Sequence, residues 1–408
     1  MTTLDRREGW SAFRHRDFVL FFAARVLSAS AVQMQAVAVG WLIYDVTDSA
    51  LALGLIGLAS FLPAVGLALV TGHVADRYDR RAILLVCFTV AALAAAGLVA
   101  VAWHGTPAVW PIYLLVVVFG VGRAFAIPAG QALMPNLVPK EDFANAVAWN
   151  SSAWQTATVV GPAVGGLLYA FGASVVFGTV TACFVLTLAL LLALRYRTAK
   201  QTIEKATWAT LVAGIGFIRS RPVVFGAISL DLFAVLLGGA TALLPIYARD
   251  ILMVGPWGLG LLRSMPAAGA VAMAVFLAHR PLRRRTGRRM FQAVALFGIA
   301  TIGFGLSTSL PLSLLCLLVL GAADMVSVFV RQTLVQIETP DDMRGRVSAV
   351  NAVFIGASNE LGEFESGALA ALIGAVPAVL AGGIGTLAVA WLWSRWFPEL
   401  RQRDALLS

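Results

Sequence analysis

Residues 72–81 read Gly72-His73-Val74-Ala75-Asp76-Arg77-Tyr78-Asp79-Arg80-Arg81, a short charge-dense turn in a chain that is otherwise almost continuously apolar. Apolar runs stand on either side of it, at 49–72 and 80–103. Each is long enough for the hydrocarbon core of a bilayer, which takes about 20 residues of helix. The two runs therefore cross the same membrane and meet at one face. The arginines assign that face to the cytoplasm, because Lys and Arg concentrate in cytoplasmic loops.

Composition carries the same message outward to all 408 residues. The chain is 60% hydrophobic and 12% charged, with mean hydropathy +0.85. A soluble domain has about 25% charged residues, so this is a polytopic membrane protein. The net charge of +9 and pI near 10.1 do not point to nucleic acid, because the basic residues punctuate apolar segments and form no groove or tail. Cys87, Cys183 and Cys316 lie far apart inside apolar runs, and the four histidines stand singly. No disulfide framework, metal site or cofactor is implied.

In chain order, residues 1–16 form a basic tail without the pattern of a signal peptide. Apolar runs follow at 17–44, 49–72, 80–103, 108–135, 142–170 and 173–194, the first bundle of six helices (17–194). The stretch 195–221 is polar, then places Trp208, Leu211, Val212, Ile215 and Ile218 at helical spacing, which predicts an amphipathic helix in a cytoplasmic linker. Six more runs at 222–248, 256–279, 288–308, 311–337, 343–372 and 375–396 make a second bundle (222–396), and 397–408 is a tail. Segments assigned to the cytoplasm, together with the span ends that border them, hold 25 of the 30 Lys and Arg, the opposite loops hold Arg249 alone, and Arg25, Arg123, Arg263 and Arg331 lie deeper within spans. That asymmetry puts both termini in the cytoplasm.

The halves repeat each other. At an offset of 201, Gly120, Gln131, Pro139, Asn150, Gly161 and Gly166 fall on Gly321, Gln332, Pro340, Asn351, Gly362 and Gly367. At 203, Ile43-Tyr44 falls on Ile246-Tyr247 and Pro63 on Pro266. Such register implies two parallel six-helix bundles with a substrate path between them.

The pattern GxxxDRxxRR at 72–81, the span count and the duplication together resemble the major facilitator superfamily. The resemblance implies an all-α fold of 12 transmembrane helices in two pseudo-symmetric bundles, and a conformational latch at Gly72, Asp76, Arg77, Arg80 and Arg81. In that latch the acid meets the N-terminal end of a helix near Val347. The second copy has decayed to 284–289, with Arg284 where Asp76 stands, and Asp79 occupies a position where many members have Gly. Residues Pro128-Ala129, Gln131-Ala132, Pro135, Leu137-Val138-Pro139 and Gly161-Pro162-Ala163-Val164-Gly165-Gly166 are similar to the enterobactin-exporter and macrolide-efflux branch, whose members are drug:proton antiporters. Small residues and a proline make Gly161, Pro162, Gly165 and Gly166 a tight, bendable helix contact, with ordinary packing as the plainer alternative.

Ionisable groups inside spans are functional candidates by default. The first half offers bases, Arg25 and Arg123, and with Gln33 and Asn150 these are the candidates for a substrate cavity. The second half offers acids, and Asp231, Asp324, Glu360 and Glu363 are the candidates for proton coupling. Structural ion pairing is the alternative for Asp231 and Asp324, and an outer packing pair with Arg263 is the alternative for Glu360 and Glu363. Arg331, near the end of its span, is expected to snorkel to the interface.

The reading is a proton-coupled exporter of a small amphipathic or anionic, drug- or siderophore-like molecule, working as a monomer by alternating access in a bacterial inner membrane. An importer or lipid flippase of the same fold is the alternative within transport, and a transport-inactive receptor or scaffold the alternative outside it. An enzyme is disfavoured, since no catalytic constellation and no nucleotide-binding loop is present.

Overall fold

The computed structural model describes residues 9–105, 108–195, 208–280, 282 and 284–404, and among them there is no strand. The helices are α1 Arg16–Thr47, α2 Ala50–Gly66, α3 Ala68–Arg77, α4 Arg80–His104, α5 Trp110–Leu133, α6 Phe143–Tyr169 and α7 Ala173–Leu192 in the first half. The linker helix α8 Trp208–Ser220 leads into α9 Pro222–Leu237, α10 Gly255–His279, α11 Thr286–Leu306, α12 Leu310–Glu338, α13 Asp341–Ile373, α14 Ala375–Trp396 and the short α15 Pro398–Gln402. Nine helices among the described residues are long and apolar enough to cross a membrane. The other three expected spans are helical but fail that measure for local reasons. The second is broken after Gly66, three residues beyond Pro63, where the proline has removed a backbone donor. The fifth carries Asn145, Asn150, Ser151, Ser152 and Gln155, and the eleventh carries Glu360, Glu363 and Glu365.

Two compact units emerge: Met1–Leu42 with Leu62–Ala206, and Ile43–Phe61 with Thr207–Ser408. In the first, Phe18, Leu84, Leu133 and Leu191 form a dry core where α1, α4, α5 and α7 meet. There α1 and α6 pack through glycine: a Cβ on Gly165 would sit 2.8 Å from Met34 Cα, and one on Gly161 would sit 2.7 Å from Gln33 Cβ. Pro162 and Gly166 are buried beside them. In the second unit, Leu230, Met290, Leu334 and Trp393 form the matching core. Gly362, which the repeat pairs with Gly161, lies against the backbone of Val235 and Leu236, so α13 meets α9 as α6 meets α1. The C-terminal end of α1 and the first part of α2 belong to this unit as well, with Gly54 stacked on Gly367.

Helix α8 docks on α13 by Ile218, which packs with Val347 and Val350. The side chains of Trp208, Leu211 and Val212, on which part of the amphipathic expectation rests, lie outside the description.

The segment after α14 folds back onto the start of α11. Asp404 accepts from the Arg285 amide at 2.9 Å through its side chain and from the Thr286 amide through its backbone, while the Arg403 carbonyl takes the Gly287 amide. Arg403 Nη2 also pairs with Glu338 at 2.6 Å. The free amides of a helix N-terminus need acceptors, and here they come from 119 residues away.

Candidate functional site

The first unit contains a cavity of about 480 Å³. Helix α1 lines it with Arg25, Ser28, Ala29 and Val32, and α6 with Asn150, Ser151, Trp154 and Gln155. Both sets follow the three-to-four spacing of one helix face. Helix α4 adds Phe88, α5 adds Phe119, Arg123 and Gln131, and α7 adds Phe184. The Arg25 guanidinium lies 5.3 Å from the Trp154 ring centroid, a cation–π contact that steadies a weakly hydrated charge without neutralising it. Two guanidiniums, three amide side chains and several aromatic rings in a volume typical of ligand pockets can hold a small molecule that is partly anionic and partly flat and apolar. Of the four cavity candidates, Arg25, Arg123 and Asn150 meet here. Gln33 does not, because its stem fills the space left by Gly161. Trp154 joins them and was findable from its position four residues after Asn150.

The second unit buries an acid–base cluster. Arg331 is 2% exposed, so it does not snorkel. Its Nη2 lies 3.1 Å from Asp231 Oδ2, and its Nη1 donates to Asn351 Oδ1 at 3.1 Å. One guanidinium thus joins α9, α12 and α13. A void of about 10 Å³, lined by Asp231, Asp324 and Ser327 among others, lies beside it. The Ser327 hydroxyl and Arg331 Nε are buried there without a partner. Glu360 and Glu363 are elsewhere on α13, with Glu363 against Gly57 of α2. The four coupling candidates therefore fall into two places.

At the arginine turn, Asp79 caps α4 by accepting from the Arg81 amide at 3.0 Å, which is what an acid gains over glycine there. Arg80, 4% exposed, donates to the Ala132 carbonyl at 2.8 Å. Arg81 donates to Leu191 and Leu192 carbonyls at 2.9 and 2.8 Å. Both arginines thus bind carbonyls at or near helix C-termini, where positive charge is favoured. A Cβ on Gly72 would meet nothing within 4 Å, and the side chain of Asp76 lies outside the described residues. Below α6, the segment before α1 is tied down: Gly9 O accepts from Asn145 and Trp149 side chains, and His15 Nε2 lies 2.7 Å from Asp142. Hydrogen bonds from Ser11 and then His15 hold the Asp142 carboxyl below its ordinary range.

At the far end, a second cluster ties α1 to a π-helical turn, Tyr247–Ile251. Arg249 pairs with Asp48 at 3.0 Å and donates to the Tyr44 carbonyl, and the Tyr44 hydroxyl donates to Asp250. Its signal in the sequence was Arg249, the lone base in the opposite loops.

Solved structures share this fold. A bacterial homologue of the human lysosomal transporter Spinster superposes with TM-score 0.73 at 14% identity, over 94% of this chain and 97% of that one. The nucleoside transporter NupG gives 0.72 at 13% identity, over 93% and 100%. A POT family transporter in complex with 5-aminolevulinic acid gives 0.75 at 11%, over 95% and 97%. Fold and apolar helices define a multi-pass membrane protein with the architecture of the major facilitator superfamily. The chain belongs to its transmembrane secretion effector family, which matches residues 7–406. Relatives in sequence include the enterobactin exporter EntS of Shigella boydii serotype 18, 28% identical over 390 residues, 95% of this chain and 93% of the relative. EntS of Escherichia coli O81 is similar to the same extent.

Proposed function

We propose that this protein is a proton-driven exporter of a small, anionic and partly aromatic or amphipathic molecule, acting by alternating access in a bacterial cytoplasmic membrane with both termini inside. The observation that carries the reading is the cavity with Arg25 and Arg123 in its wall. The half-buried guanidinium of Arg25 is stabilised by an anion, so a substrate carrying negative charge gains where a cation would lose. Phe88, Phe119, Trp154 and Phe184 supply apolar area, and Asn150, Gln131 and Gln155 supply hydrogen bonds that orient it. Export is supported by relatives that are enterobactin exporters. The acids of the second unit are the seat of coupling, Asp231 and Asp324 before Glu360 and Glu363, because they share a buried cluster with one base. Asp76 serves the latch, while Arg80 and Arg81 hold the ends of α5 and α7 for it. No catalytic step and no bound cofactor is needed, and a monomer suffices.

The test is a comparison of small-molecule content in medium and cells, with and without the gene, repeated with a protonophore. A compound enriched in the medium only when gene and gradient are both present establishes the reading and names the cargo. Enrichment inside the cells reverses the direction, and unchanged distribution in every arm removes transport altogether.

A further inference from the structure

We propose that Arg331 gives two aspartates of the second unit different tasks: Asp231, which is buried, is its fixed counter-ion, and the half-buried Asp324, with Ser327 beside it, is the single seat of the coupling proton. The assignment rests on the proton-driven reading above. It starts from the commitments of one side chain. Arg331 spends Nη2 on Asp231 and Nη1 on Asn351, groups on two other helices. Asp324 is seven residues back along α12, about 10.5 Å of helical rise, and receives neither bond. Withdrawing the charge of Asp231 would leave a guanidinium of 2% exposure without an anion, the costly way to break a buried pair. Withdrawing the charge of Asp324 breaks nothing.

What surrounds Asp324 fits that task. Ser327 lies three residues on and so shares its face. Its hydroxyl is buried, 3% exposed, and has no partner. The void of about 10 Å³ that both residues line has room for about one water, a route for a proton to a half-buried carboxyl. The charged groups facing Asp324 are Asp231 from α9 and Arg331 from its own helix. Helix α11 brings Val294 and Phe297 to the void, and α10 crosses on Pro266 and Gly269 against Gly321 and Leu318. Two carboxylates and one guanidinium leave one negative charge, and one proton on Asp324 makes the cluster neutral. Arg331 is thus a positioning residue, which acts through the carboxylate that it occupies.

The proton can be read without knowing the cargo. Infrared difference spectra of the purified full chain, titrated with pH, report the carbonyl stretch of a protonated carboxylic acid. The wild type is expected to show one such buried band, Asp324→Asn to lack it while keeping the wild-type unfolding temperature, and Ser327→Ala to move its midpoint by at least half a pH unit. Asp231→Asn and Arg331→Leu are expected to lower the folded yield singly. The pair Asp231→Asn with Arg331→Leu is expected to restore yield and keep the band. Persistence of the band in Asp324→Asn, or its loss in the paired variant, overturns the assignment. Protonophore-insensitive export by the wild type would sink the reading beneath it instead, whereas gradient-dependent export by Asp324→Asn would sink this assignment alone.

Discussion

A guanidinium at 2% exposure with a carboxylate 3.1 Å away makes each partner dangerous to remove alone. Arg331→Leu strands the Asp231 charge and is expected to cost about 3–5 kcal/mol, read as a fall in the detergent-solubilised unfolding temperature. Asp142 behaves differently because it is only half-buried. Its carboxyl is held below the ordinary value of 3.8 by Ser11 and His15, so its contribution is complete above that value and fades as pH falls through the depressed one. Trypsin cleavage after Arg14 and Arg16 is therefore expected to be slow at neutral pH and faster in Asp142→Asn at the same pH. Residue chemistry was legible in part. Arg25, Arg123, Asp231 and Asp324 declared themselves as charges in apolar runs. The fate of Arg331 did not, because position along a span gives depth but not the neighbours around the helix.

Among the helices, contacts through backbone are the least forgiving. Gly165→Leu would drive a side chain into Met34 Cα. Overpacking of this kind costs about 1–3 kcal/mol, so a lower unfolding temperature and a widened α1–α6 separation, measured by spin labels, are expected. Arg81→Ala removes two charge-assisted bonds from the end of α7. A loss of about 1.5–3 kcal/mol per bond at most, reduced by solvent at this exposed site, should appear as faster exchange of the last amides of α7. The helices themselves were readable from apolar run length. The break at Gly66 had its signal in Pro63, whereas the π turn at Tyr247–Ile251 did not show, because it depends on what the backbone packs against. The face of α6 that lines the cavity was readable in principle, through 150, 151, 154 and 155.

For the molecule as a whole, the duplication visible as a fixed offset in sequence reappears as paired glycine contacts, Gly161 on α1 and Gly362 on α9. On the proposed function the halves divide the work, with Arg25 and Arg123 in the wall of the first unit's cavity and Asp231 paired with Arg331 in the second. Replacing Arg25 or Arg123 by Ala is expected to reduce retention of an anionic cargo by roughly ten- to a hundredfold, the equivalent of one charged hydrogen bond. The ratio of medium to cell content checks it, with Gln33→Ala as the contrasting variant that should move stability more than affinity. The return of Asp404 to the start of α11 also sets a clock on biosynthesis. Chains grow at about 5–20 residues per second, so the first turn of α11 waits roughly 6–24 s for the acceptors that complete it. During that interval the half-made second unit presents bare amides at the membrane surface, and a ribosome stalled before residue 404 would display them to the machinery that removes unfinished proteins.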